Sequence, residues 1–278
     1  MMKLTSLILI CLLPFCSFSG NDNYHIGGRF AGMGNTSVSI SGLWSVHFNQ
    51  AGLAFIDNSI VGISYENRFL MQGLGVKGLA AAIPIGAGAF GLEINSFGYT
   101  KYSENKYGLA YSRKLSDNFS AGIQMDYIQT HIAENYGSKG IFVMEAGIQA
   151  HLTDKLNIGS HIYNPTRTKL ATFVVDSIHN YSEFAPTIMA LGLDYTFSKK
   201  LLVALDVEKD IDQKASYKVG LEYHISEPIY LRLGISSNPF LNAFGFGVEF
   251  GQLNVDFATT YHSILGYSPT LSVQYTFK

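Results

Sequence analysis

Cysteine is nearly missing from this chain. Its two copies, Cys11 and Cys16, both fall within the first 20 residues. Lys3 followed by an apolar stretch over 4–15 and the small residues Ser17 and Ser19 reads as a signal peptide over 1–20, cleaved after Ser19 or Gly20. Lipidation through Cys16 is a competing reading, weakened by the bulky Phe15 before it. A mature chain without cysteine has no disulfide, no thiolate metal site and no cysteine nucleophile. Charge is scarce as well. Asp, Glu, Lys and Arg make up 14 % of the residues, against about 25 % in an average soluble domain. The net charge of −2 offers no basic field for nucleic acid. Beyond the leader, no segment has the ~18 uninterrupted apolar residues of a spanning helix. There is no P-loop, zincin or nucleophile-elbow motif. The glycine run "GGRFAGMG" follows a leader, not a strand, and no βαβ unit comes after it, so it is not a nucleotide loop. The expectation is a non-enzyme with no catalytic residue, no cofactor and no metal.

What is present is aromatic and alternating. The chain holds 17 Tyr, 19 Phe and 28 Gly, with a mean hydropathy of +0.14. The last strand sets Leu271, Val273, Tyr275 and Phe277 against Ser272, Gln274, Thr276 and Lys278. Period two with one greasy face is a half-buried strand. Fourteen such strands can be read between about 58 and 278, most of them ten residues or longer. Spanning strands need about 9–11 residues, while globular strands average about 5–6. Length therefore favours an all-β, fourteen-stranded antiparallel transmembrane barrel over a soluble sandwich. In a barrel the greasy face meets lipid and the polar face lines the lumen. Tight turns at 84–86, 115–118, 152–155, 197–200, 225–228 and 250–252 predict one short-looped end, with longer joins at the other. Phe119, Tyr195, Phe197, Phe250, Tyr275 and Phe277 gather beside those turns as an interfacial girdle.

The alternation also predicts the inward face. Lumen-lining candidates are Glu93, Asp126, Glu145, His151, Asp194, Glu222, Arg232 and Glu249, with Lys77, His161, Lys218 and His224 as further cations. A metal site from Asp126, Glu145 and His151 is one reading. A salt-bridge network that closes the lumen is the simpler one. Inward glycines are frequent, which suggests that something lies close to the wall.

The stretch 27–55 breaks the pattern. "GGRFAGMGNTSVSISGLWSVHFNQAGLAF" is rich in small residues and carries the only tryptophan, Trp44. Residues 21–57 read as a plug segment ahead of a barrel over 58–278, with Gly32 and Gly34 lying against the wall and Trp44 and Phe48 supplying bulk. A periplasmic tail or a first strand are the alternatives. This stretch resembles the N-terminal hatch of the long-chain fatty acid transporter (FadL-like) superfamily. Ala31, Gly32 and Gly34 match its "AxGxG" start, and Asn49, Ala51, Gly52 and Leu53 its "NPAGL" end, with Gln50 in place of proline. The compact size is similar to the smaller PorV/PorQ-like barrels of Bacteroidetes.

That resemblance implies an outer-membrane protein of a Gram-negative bacterium, and the even strand number places both termini on the periplasmic side. Its first functional implication is an accessory or scaffold subunit of a secretion machine, like the PorV-like proteins of type IX secretion, with outer-membrane or periplasmic protein partners beside the surrounding lipid. The alternative is a FadL-like channel for small hydrophobic molecules. The longest join, 164–184, holds an apolar run with Phe173 and Val175. It is a candidate lid, partner contact or lipid entry site.

Overall fold

The computed structural model describes residues 23–134, 137–174 and 180–278. The leader and Val175 lie outside them. Sixteen strands follow a short irregular N-terminal segment: β1 (Ile60–Asn67), β2 (Gly75–Ile85), β3 (Gly88–Tyr99), β4 (Tyr102–Ser116), β5 (Phe119–Ile132), β6 (Gly137–His151), β7 (Leu156–Tyr163), β8 (Lys169–Val174), β9 (Asn180–Phe184), β10 (Ile188–Ser198), β11 (Leu201–Asp210), β12 (Ser216–Ser226), β13 (Ile229–Ser237), β14 (Phe240–Phe250), β15 (Leu253–His262) and β16 (Gly266–Thr276). Fourteen form one closed antiparallel barrel, each beside its sequence neighbour, and β1 pairs with β16 to close it. β8 and β9 pair only with each other and stand outside the barrel order, between β7 and β10.

The sequence expectation of a loop over 164–184 is thus corrected to a β-hairpin. Phe173 lies on β8 opposite Tyr181 of β9. The hairpin base is anchored at the barrel mouth, where Leu170 and Ala185 pack with Ile128, Ile141, Val143 and Tyr163. Two other connections at this end are shorter than expected. β3 turns into β4 across Thr100 and Lys101, and β13 into β14 across Asn238 and Pro239. Alternation fades near the rim because side chains there leave the apolar layer. Backbone pairing does not need it, and continues to Tyr99 opposite Tyr102.

The outer face is what a bilayer requires. Ile63, Leu109, Ile123, Leu191, Leu233 and Leu271 point outward and are exposed around the barrel. Phe197, Phe250, Tyr275 and Phe277 ring the end that holds the first residue of β1 and the last of β16, here the terminal end. Tyr107, Phe142, Tyr217, Phe240 and Tyr267 are exposed toward the hairpin end. A ten-residue strand rises about 33 Å along its own axis, or about 25 Å across a membrane at a tilt near 40°. Two aromatic belts about that far apart match the hydrocarbon layer. One charge is placed differently from the sequence reading. Lys77 faces outward opposite Tyr65, because its neighbours Val76, Gly78 and Ala80 turn inward. It sits near the strand end, where a long stem lets the ammonium reach headgroups.

Leu233, 53 % exposed between Leu221 and Phe244, tests the outward face. Leu233→Arg is expected to cost about 2–4 kcal/mol in reversible folding into lipid vesicles, the range for a cation at mid-bilayer depth. A variant as stable as the parent would place that face away from lipid.

Candidate functional site

The lumen is occupied by the chain's own N-terminal segment. It contains a one-turn helix α1 (Gly28–Gly32), a second short helix α2 (Ser45–Phe48) and a 3-10 turn over Gln50–Phe55. The segment supplies large apolar side chains, including Phe30, Met33, Leu43, Trp44, Val46 and Leu53, all 3 % exposed or less. The wall answers with Val76 and the alanines 80, 82, 89, 110 and 204. Small wall residues are therefore the counterpart of bulky ones inside.

Glycine takes this further where backbone meets backbone. A Cβ on Gly32 would come within 2.8 Å of Gly245 Cα, and one on Gly34 within 2.8 Å of Ile235 N. Gly34 also holds φ +66, a region that L side chains rarely adopt. Gly52 is tight against Ser45 and Gln149. Trp44 stacks beside Gly27, where a Cβ would meet its ring at 2.9 Å.

The turn at 49–53 forms without the proline of the resembling motif. Asn49 caps the 3-10 turn by accepting from Ala51 N at 3.2 Å, and donates to the carbonyls of Val38 and Ile148. Gln50 donates to Glu145 Oε2 at 2.7 Å. A proline could not make that contact.

Three polar clusters tie the segment to the wall. In the first, Lys106 Nζ lies 2.6 Å from Glu145, 3.4 Å from Glu93 and 3.7 Å from Asp126. His47 of α2 meets Glu93 at 2.5 Å, and His161 meets Glu145 at 2.9 Å. Gln124 bridges Glu93 and Asp126. In the second, Arg29 of α1 grips both oxygens of Glu222 at 2.7 and 2.9 Å. Arg232 then joins Glu222 to Asp256 at 2.6 and 2.7 Å. Burial opposes the charge on Arg29, but the paired Glu222 outweighs it and raises its pKa. In the third, Asp206 accepts from the backbone of Ser37 and Val38 at 2.7 and 3.2 Å. All the carboxylates in these clusters are buried.

Of the predicted lumen residues, Glu93, Asp126 and Glu145 come together, and Glu222 and Arg232 form the second chain. Asp194 is buried but separate, accepting from Asn157 at 2.9 Å. His151 is corrected out of the Asp126–Glu145 group. It stacks on Phe55 at 3.9 Å near the terminal end, and His161 takes the expected place. Glu249 is exposed and bonded to the Tyr230 hydroxyl. Among the described residues no group of three or more potential ligands is arranged for a metal. Sequence reasoning missed Lys106, His47 and Arg29. Lys106 was legible in principle, since it alternates with Gly108 and Ala110 on β4.

On the hairpin side of the segment lies a cavity of about 310 Å³. Its lining includes Tyr24, His25, Arg68, Phe69, Glu208 and Lys218. The Arg68 guanidinium sits over the Tyr24 ring at 5.0 Å and the Phe69 ring at 5.5 Å.

A closed fourteen-stranded antiparallel barrel with these faces is the fold of FadL-like outer-membrane barrels. The monoaromatic hydrocarbon channel CymD is 15 % identical, with 93 % of this chain and 99 % of that one covered at a TM-score of 0.71. The Ralstonia pickettii toluene transporter TbuX is 12 % identical, covering 91 % and 98 %, also at 0.71. A Pseudomonas aeruginosa FadL homologue is 12 % identical, covering 91 % and 98 % at 0.64. No protein-family model matches the chain, and a search of curated proteins finds no match either.

The first cluster has one ammonium against three carboxylates, so removing it leaves them only histidine and amide contacts. Lys106→Met is expected to destabilise the barrel by about 3–5 kcal/mol, as for other broken buried pairs. Adding Glu145→Gln should restore part of the loss in a double-mutant cycle measured by urea unfolding. Strict additivity of the two changes would deny the coupling.

Proposed function

We propose that this protein is an outer-membrane channel for small hydrophobic molecules, with residues 23–57 acting as a plug that gates the lumen. The proposal sets the terminal end in the periplasm and the β8–β9 hairpin on the outside. The observation that carries it is a barrel lumen filled by a tethered segment, below a cavity of about 310 Å³ at the other side. That volume is at the lower end of the ~300–1,000 Å³ of small-molecule sites. Tyr24 and Phe69 give the cavity aromatic walls, and Arg68 fixes both rings from one side. A molecule entering there would meet the plug next.

The structural neighbours, hydrocarbon channels and transporters, favour this reading over an accessory subunit of a secretion machine, the role the PorV-like resemblance put first. No protein partner gains support from the neighbours. Phe173 on the hairpin remains a proposed contact at the mouth in either case.

The fourteen strands pair with one another and not with the segment, so its removal should leave a barrel and open a path. Deleting residues 23–50 is expected to raise ion conductance in planar bilayers. The full chain in proteoliposomes should speed the uptake of a small aromatic hydrocarbon over protein-free vesicles. Unchanged conductance on deletion would refute the plug. Uptake equal to empty vesicles, in both the full chain and the deletion, would refute the channel.

A further inference from the structure

One apolar concavity of this barrel lies on its outside. A groove of about 490 Å³ crosses the outer wall over β6, β7, β10 and β11, lined almost wholly by carbon. Pairing explains the dip. Outward-facing Ser160 lies between Ile148 on β6 and Leu191 on β10, and outward-facing Ala150 adjoins Ile158 one step nearer the terminal end. Two short side chains among long ones leave a trough, with Leu193, Leu205 and Val207 as its far bank. The trough is part of the same exposed apolar face that meets lipid, so a lipid chain is the molecule already beside it.

The rim next to the groove is net positive, with three lysines against one aspartate. The turn from β6 to β7 presents Lys155, and the turn from β10 to β11 presents Lys199 and Lys200, all exposed. Asp154 is the acid on those two turns. By contrast, the turns from β2 to β3 and from β14 to β15 carry no charged residue, and that from β12 to β13 carries Glu227. Lys155 is three residues from Ile158 in the groove, about 10 Å along the strand. Between them Leu156 and Tyr195 pair on the outer face, at the level where an aromatic belt marks the lipid interface. A headgroup held at the lysines would lay its acyl chain into the trough.

We propose that this groove is a binding site for one anionic phospholipid from the leaflet at the terminal end, its acyl chain seated over Ser160 and its phosphate held by Lys155, Lys199 and Lys200. The site stands apart from the transport reading, since it faces the bilayer and not the lumen.

Native mass spectrometry of the full chain in mild detergent tests it, with phosphatidylglycerol and phosphatidylcholine of the same chain length as probes. Phosphatidylglycerol should be retained with a preference of about tenfold, as a few lysines near a lipid surface provide. Ser160→Phe, which fills the trough, should abolish retention of both lipids. The Lys155→Gln, Lys199→Gln, Lys200→Gln variant alters only exposed turn residues, and should erase the preference while leaving weak binding of either lipid. Heat-modifiable gel mobility checks that each variant is folded. Equal retention of the two lipids by the parent overturns the proposal, as does retention unchanged in folded Ser160→Phe. A dimer that disappears in Ser160→Phe, without loss of lipid, would assign the groove to a second copy instead. Loss of hydrocarbon uptake in that variant with phosphatidylglycerol still bound would assign it to the permeant, and also overturns the site.

Discussion

The pairing of β1 with β16 is the constraint from which the rest follows. In hydrocarbon an unpaired backbone N–H or C=O costs several kcal/mol, so a sheet in lipid has to close. Closing fourteen strands gives a ring too wide for its own side chains to fill, unlike an eight-stranded barrel. Something else must occupy the middle, or the protein is an open pore. Here the occupant is the chain's own first described stretch, and the wall is built for it. Inward positions are alanine, glycine and serine where the segment packs closest, and charged where its polar groups meet the wall.

The charged part of the lumen obeys a second constraint. A buried carboxylate is tolerable only when paired and hydrogen-bonded. Glu93, Asp126 and Glu145 sit on three different strands, and the single Lys106 reaches all of them. Histidines and amides supply the remaining contacts, His47 and Gln50 from the inner segment and His161 and Gln124 from the wall. The network thus needs the segment in place, and the segment needs the network. The second chain works the same way, with Arg29 completing a carboxylate that Arg232 already holds.

Much of this was legible because a strand in lipid has to alternate. The β12 pattern of Tyr217, Val219 and Leu221 against Lys218, Gly220 and Glu222 gives the faces directly, and the barrel keeps them. Lys77 shows where that reading fails. Near a strand end the lipid no longer demands an apolar side chain, and the face is set by Val76 packing inward on the segment cluster. The β8–β9 hairpin escaped for a related reason. It pairs outside the barrel, so no strand count calls for it, and its base, at Leu170 and Ala185, joins the apolar cluster at the mouth. The sets of charges that meet across the lumen were not legible, since register across several strands and the path of the inner segment are both needed to bring Lys106 to Glu145 or Arg29 to Glu222.

The two ends of the inner segment are held by opposite sides of the barrel. α1 lies against β13 to β16, through the Gly32–Gly245 approach and the Gly28 amide on Ser272, and reaches β12 through the Arg29–Glu222 pair. α2 and the 3-10 turn lie against β3 to β6, through His47 on Glu93, Gln50 on Glu145 and Ser120 on the Ala51 carbonyl. The turn leads straight into β1 and so has a short tether, while α1 stands further along the chain from β1. On the gating reading proposed above, release of α1 costs less than release of α2. That step exposes Glu222, which still keeps Arg232 as its partner, whereas releasing α2 would strip Glu93 of His47 and Glu145 of Gln50 at once. The paired arginines on one side and the crowded carboxylates on the other make the segment easier to peel from one end than to expel whole.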